Sequence, residues 1–178
     1  VAVTLSEAVF STINGSGAME ASNFSLSVAG GTAALSSATP SSISATGNVY
    51  TLGLPITGAP DGSEILSVVP IDNKIYDAVG NEASTTQTTN TDTLFDKAAP
   101  TILSLSSTAS NGNMKIGDEL PITITFNETV VLTGTPQITL ETGTTDAVVN
   151  YTSGSNTTVL TFTYTVATGD TSSDLDYA

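Results

Sequence analysis

The chain has 178 residues, 39% hydrophobic and 11% charged, with 3 basic against 17 acidic side chains and a net charge of −14. That field repels nucleic acid and anionic membranes and attracts divalent cations. With no Cys and no His, disulfides, zinc sites and thiol or imidazole catalysis are excluded for this stretch.

Period-two alternation predicts strands along the whole chain. Val3–Leu5 is the first. Phe24, Leu26 and Val28 alternate with Ser25 and Ser27, and Tyr50, Leu52, Leu54 and Ile56 form a similar row. Strands follow at Ile65–Val69 and near Thr86–Leu94. Asp96-Lys97-Ala98-Ala99-Pro100 reads as a junction, because Pro cannot donate to a ladder and the residue before it stays extended. Beyond it, strands are predicted near Ile102–Leu105, at Ile122–Phe126, Ile138–Leu140, Val148–Tyr151 and Val159–Val166, with another beginning near Leu175. Turns punctuate them at Gly30-Gly31, Gly47-Asn48, Asp61-Gly62, Asn111-Gly112 and Ser153-Gly154. No helix longer than one turn is predicted. No apolar run approaches the roughly 20 residues of a membrane span, and Val1 opens no signal peptide.

The chain also repeats itself. Val3-Thr4-Leu5-Ser6-Glu7-Ala8-Val9 returns as Ile124-Thr125-Phe126-Asn127-Glu128-Thr129-Val130, an offset of 121 residues. Val49-Tyr50-Thr51-Leu52 returns as Val159-Leu160-Thr161-Phe162 at an offset of 110. Repetition at domain-sized spacing marks a tandem array. The expected division is residues 1–96 and 97–178, two all-β antiparallel sandwiches. The first is read as lacking its first strand and the second its last strands, a window within a longer array.

The junction "DKAAPTI", the run "GNMKIGDELPITITFNETV", the segments "VTLSEAV", "DGSEILSVVP" and "IYDAVGNEAS", and the long second-copy stretch from Thr135 to Ala178 together carry a resemblance. They are similar to the immunoglobulin-like or cadherin-like repeats of giant bacterial surface adhesins, of the biofilm-associated and gliding-adhesin types. The resemblance implies a stalk or spacer on the bacterial cell surface, with calcium between domains as cofactor and neighbouring repeats of the same chain as partners. A receptor contact would then lie elsewhere in the protein. In an immunoglobulin-like lettering the first copy supplies strands B, C, E, F and G, and the second A to E and the start of F. That topology gathers Glu7 with Asp72, Asp77 and Asn81 at one end of the first copy. Hard cations want six to eight oxygens, and this loop supplies them with a Gly for its turn; an Asx-rich turn capping its own backbone is the competing reading. Asp96 is expected beside the entry end of the second copy with Glu128, the counterpart of Glu7, and Asp61 and Glu64 are expected across the joint at the exit end of the first copy. Asp170, Asp174 and Asp176 are expected to mirror this arrangement in the second copy.

Enzymatic activity is not expected: Lys74, Lys97 and Lys115 sit in predicted turns or linkers, away from any nucleophile loop. Without Trp, a sugar platform would fall to Tyr76, Tyr151 and Tyr177. Asn-x-Ser/Thr triplets at Asn14, Asn23, Asn127, Asn150 and Asn156 are expected by chance in so Ser/Thr-rich a chain. Two other functions compete with the stalk. A ligand-binding module would use the long 30–44 loop, and a self-assembling filament would add strands beside Val3–Leu5 or Val159–Val166.

Overall fold

A computed structural model of the chain describes residues 1–109 and 112–172. Among the described residues it is all-β, with antiparallel sheets and one 3-10 turn at Ala21–Asn23. The chain divides into two compact units, Val1–Ala98 and Ala99–Ala178.

The first unit contains β1 (Ala2–Thr4), β2 (Phe24–Ala29), β3 (Ala34–Leu35), β4 (Ile43–Thr46), β5 (Val49–Leu52), β6 (Ile56–Thr57), β7 (Ile65–Pro70) and β8 (Thr91–Thr93). They form sheets of order β1-β5-β4 and β2-β7-β8, with a small β3-β6 pair. Alternation explains the packing. Phe24 and Leu26 of β2, Leu52 of β5, and Leu66 and Val68 of β7 turn inward with Ile75, and Val1, Val3 and Ile43 pack against them. Both three-stranded sheets therefore contribute to one core.

Three sequence expectations change here. The row from Tyr50 to Ile56 is not one strand: β5 ends at Leu52 and β6 starts at Ile56, in a different sheet. Gly53 and Pro55 lie between them, and Pro has no N–H for a ladder. The 30–44 segment is not an open loop either. It holds β3, the start of β4 and the buried Ala33. The strand expected at Thr86–Leu94 is reduced to β8.

The second unit contains β9 (Ile102–Ser107), β10 (Glu119–Val130), β11 (Gln137–Leu140), β12 (Ala147–Ser153) and β13 (Thr157–Thr165). They form a five-stranded sheet in the order β11-β12-β13-β10-β9. Its core is Leu120, Ile122, Val130, Leu140, Val149, Leu160, Phe162 and Tyr164, the inward residues of alternating strands. Immunoglobulin lettering places C in the sheet opposite D. Here β11 pairs with β12 along its length, from Gln137↔Asn150 to Leu140↔Ala147. The strand expected near Leu175 lies outside the described residues. Val159–Val166 is not an edge, because β13 lies between β12 and β10.

The sequence repeat reappears as register. In the first unit Ala2, Val3 and Thr4 face Thr51, Tyr50 and Val49. In the second, Thr123, Ile124 and Thr125 face Thr161, Leu160 and Val159. At these three positions each residue meets the partner that the repeat aligns with it. A one-residue slip in either unit would have sent its apolar set to the wrong face.

Candidate functional site

Glu64 begins the β7 segment at the end of the turn Asp61-Gly62-Ser63, and its side chain is fully buried. The carboxylate is met by backbone donors. Oε1 accepts the amides of Ala33 at 2.8 Å and Thr32 at 2.9 Å, and Asp61 N–H lies 3.1 Å from Oε2 and 3.3 Å from Oε1. The bond from Ala33 above all holds the Glu64 pKa below its ordinary value, against burial and the nearby Asp61 charge. Gly31 makes room for this. It sits at φ +60°, and a Cβ there would lie 2.2 Å from the Glu64 carboxyl carbon. With Oε1 taken by three amides and the whole side chain buried, Glu64 is turned into the fold rather than presented to a cation at the surface.

Asp61 is used in a similar way. Its Oδ1 accepts the Ser63 amide at 3.0 Å and the Ser63 hydroxyl at 2.5 Å, and these bonds lower its pKa. Asp96, expected beside Glu128 at the entry of the second copy, lies against this turn of the first unit: a Cβ on Gly62 would be 3.3 Å from the Asp96 Cβ. The amides of Lys97 and Ala98 both donate to the Pro60 carbonyl, and Asp96 Oδ1 accepts Ala98 N–H at 2.9 Å. Asp61, Glu64 and Asp96 therefore share one corner, each turned to the backbone.

At the other loop Asp77 accepts the amides of Val79 at 2.9 Å and Asn81 at 2.8 Å, and the Asn81 side chain at 2.7 Å. The Asn81 bonds dominate the lowering of its pKa. This is the Asx-turn geometry. Asp72 accepts Asn73 Nδ2 at 2.7 Å, and the Asn73 amide donates to Glu82, an acid the sequence reading did not single out. The Phe10↔Tyr76 bridge fixes the chain after Glu7 against this loop, and Glu7 itself is exposed.

In the second unit Glu128 lies half-buried in β10. Its neighbour Asn127 accepts Thr101 N–H at 2.6 Å and returns its own amide to the Thr101 carbonyl. Asp118 caps the Lys115 amide at 2.7 Å. Asp170 accepts the Ala167 amide at 2.7 Å and the Tyr164 hydroxyl. Asp174, Asp176 and Tyr177 lie outside the described residues. Among the described residues no three Asp or Glu side chains form a group able to hold a metal ion.

An open cleft of about 760 Å³ lies between β12 and β13, lined by Asp146, Asn150, Thr152, Thr163, Thr165 and Asp170 among others. It opens because β12 pairs with β11 over Ala147–Asn150 and meets β13 only from Tyr151 onward. Tyr76 is buried, and the Tyr151 hydroxyl accepts the Ser155 amide at 2.6 Å, so neither is a free sugar platform. Lys74, Lys97 and Lys115 are exposed. No helix among the described residues is long and apolar enough to cross a membrane. No family model, curated protein or solved structure matches the chain.

Proposed function

We propose that the chain is a pair of tandem spacer repeats from a long extracellular adhesin of the bacterial surface, the first repeat an immunoglobulin-like β-sandwich and the second carrying the same sequence pattern on a five-stranded sheet. One observation carries this reading: residues aligned by the sequence repeat pair in the same register in both units. Two units that share a sequence pattern and a strand register are repeats of one structural module, and modules in series add length. The grouping of β1, β5 and β4 against β2, β7 and β8 supports the immunoglobulin-like form of the first repeat.

In this reading the acids do two jobs. Glu64, Asp61, Asp77 and Asp170 cap backbone amides in the turns, which keeps the strand ends ordered. The exposed ones, Glu7 and Asp72 among them, belong to an acidic surface that keeps a crowded array soluble. Calcium enters as an ion drawn to that surface, not as a ligand of Glu64 or Asp77. The partners are further repeats, with any receptor contact elsewhere in the adhesin.

The test is the length of recombinant arrays of one, two and four copies of the chain, measured by small-angle scattering with calcium and with chelator. A spacer gives a maximum dimension that rises by a constant step per copy. Arrays that collapse to the dimension of a single copy sink the spacer reading. Thermal unfolding in the same samples isolates the metal. Extracellular calcium modules bind at about 10⁻⁴–10⁻³ M, and one site at a hundredfold excess adds about 2.7 kcal/mol. An unchanged midpoint removes calcium from the proposal and leaves the spacer standing.

A further inference from the structure

Strand β4 ends its sheet with a bare edge. The sheet order is β1-β5-β4, so β4 lies on the side of β5 away from β1. The sequence repeat aligns β13 with β5, and β12 stands beside β13 where β4 stands beside β5. In that second unit the next place is filled, because β11 pairs with β12 from Gln137↔Asn150 to Leu140↔Ala147. In the first unit the two strands that precede β4 in the chain go elsewhere: β2 pairs with β7 and β3 with β6. Among the described residues no strand covers β4 on its outer side.

The ladder on its inner side fixes which groups the edge presents. Gly53 N–H donates to Ser42 at 3.0 Å, whereas Leu52 N–H donates to Val1 at 2.8 Å, on the β1 side. Ile43 stands opposite Leu52 and Ala45 opposite Tyr50. Those two residues of β5 turn their main-chain groups towards β1, so Ile43 and Ala45 turn theirs outward. Proteins commonly guard such edges with charges or Pro, yet Ile43-Ser44-Ala45-Thr46 has neither. From Ala21 to Pro60 the sequence carries no charged side chain, in a molecule of net charge −14. Two copies that meet at β4 therefore avoid the repulsion their other surfaces would generate.

We propose that β4 is a self-association edge, pairing antiparallel with β4 of a second copy of this chain across a twofold axis. The symmetric register that uses both outward residues of both strands sets Ile43 opposite Ala45 twice and Ser44 opposite Ser44 on the axis. It places a large apolar side chain beside a small one, and two hydroxyls within reach of each other. A strand of 4 residues makes a contact well below the roughly 1,200 Å² of stable interfaces. Single chains therefore pair weakly, and molecules carrying several such edges pair more strongly. The inference rests on the ladder of the first unit and not on the surface location proposed above.

The test exploits a chain without Cys. Ser44→Cys and Thr46→Cys each put a single thiol at an exposed position of β4. In the proposed register the two residue-44 Cα atoms are about 4.5 Å apart, as in a non-hydrogen-bonded antiparallel pair, within reach of a disulfide. The two residue-46 positions are about 14 Å apart along the strands, out of reach. Under a glutathione couple Ser44→Cys should give at least tenfold more disulfide-linked dimer than Thr46→Cys. Sedimentation equilibrium of the wild-type chain should show monomer and dimer at submillimolar concentration. Ser44→Glu, which sets like charges on the axis, should weaken that dimer at least tenfold, and its mixture with Ser44→Lys should restore it. Circular dichroism checks that each variant keeps the wild-type fold. Three results each overturn the proposal: a chain that stays monomeric up to millimolar concentration, equal disulfide yields from the two Cys variants, or association that Ser44→Glu leaves unchanged, which assigns the contact to another surface.

Discussion

Ala33 N–H donates to the buried Glu64 carboxylate across 2.8 Å, and that bond joins the segment after β2 to the turn before β7. Thr32 and Asp61 add their amides to the same carboxylate. One ionised side chain thus satisfies three backbone donors that have no strand partner, and burying those donors unmet would be costly. Glu64→Ala removes the acceptor from all three, while Glu64→Gln places an NH2 group where a second acceptor stood. Both variants are expected to unfold at a lower temperature, by roughly 5 °C or more, with Ala the worse. Equal midpoints for the wild type and both variants, read by circular dichroism, would show that the clamp is ornamental.

The same carboxylate fixes a pH dependence. Its folded pKa is depressed below the ordinary value of 4.5, so the unfolded chain takes up the proton first as pH falls. The stabilisation is therefore complete above that ordinary value and is lost as pH drops through the lower folded pKa. Urea midpoints measured from neutral pH to about pH 2 should fall on the acid side for the wild type. In Glu64→Gln the fall should be shallower. It should not vanish, because Asp61, Asp77 and Asp170 are also depressed from 3.8.

How much of this was legible beforehand follows from the kind of signal involved. The alternation around Phe162 and around Phe24 shows directly in the sequence, because a strand's period of two is local. The repeat was legible too, but not the register in which its strands pair, which depends on contacts between residues far apart in the chain, such as Ala2 with Thr51 and Thr123 with Thr161. Glu64 could be placed at a turn but not assigned its role, and the sequence sets Asp96 beside the entry of the second copy. A carboxylate in a turn looks the same whether it faces solvent, a cation or three amides, and the deciding donor, Ala33, is 31 residues away. The Asx turn at Asp77 is local, and Asp-Ala-Val-Gly-Asn carries its signature. The partner of β11 was missed for a different reason. Its apolar alternation fits pairing in either sheet, and β12 was settled by packing rather than by pattern.

Gly31 tests the clamp from the other side. At φ +60° an L side chain is strained, at a cost of about 1–3 kcal/mol, and its Cβ would overlap the Glu64 carboxyl group. Gly31→Ala should therefore destabilise the chain by at least that strain. Combined with Glu64→Ala, the two losses should fall short of additive, because the small side chain at residue 64 makes room for the new methyl. Strict additivity in urea denaturation would mean that the two residues do not communicate.

The two cores share no residue. Phe24 and Phe162 are each almost fully buried, Phe24 tilted against Tyr50 and Phe162 edge-on to Tyr151. Truncating either to Ala should cost about 3–5 kcal/mol. With Phe162→Ala, amide exchange should accelerate across β10–β13 and leave β2, β5 and β7 at their wild-type rates; Phe24→Ala should do the reverse. Acceleration spread evenly over both sets would show that the units unfold as one cooperative block.

Tyr164 gives a spectroscopic view of the second unit. Burial raises its pKa to about 12, helped by the bond its hydroxyl donates to Asp170 and by that residue's charge. Ionising the phenol removes the donated proton and sets two negative charges side by side. The folded state therefore favours the neutral phenol, a contribution complete below the ordinary value of 10 and lost as pH climbs towards about 12. Asp170→Asn removes the charge and leaves the burial, so the Tyr164 phenolate should form at a lower pH than in the wild type but still above the ordinary value. A phenolate absorbance titration, with Tyr164→Phe identifying the signal, reads this directly. An unmoved midpoint in Asp170→Asn would assign the whole shift to burial and leave Asp170 only its bond to the Ala167 amide.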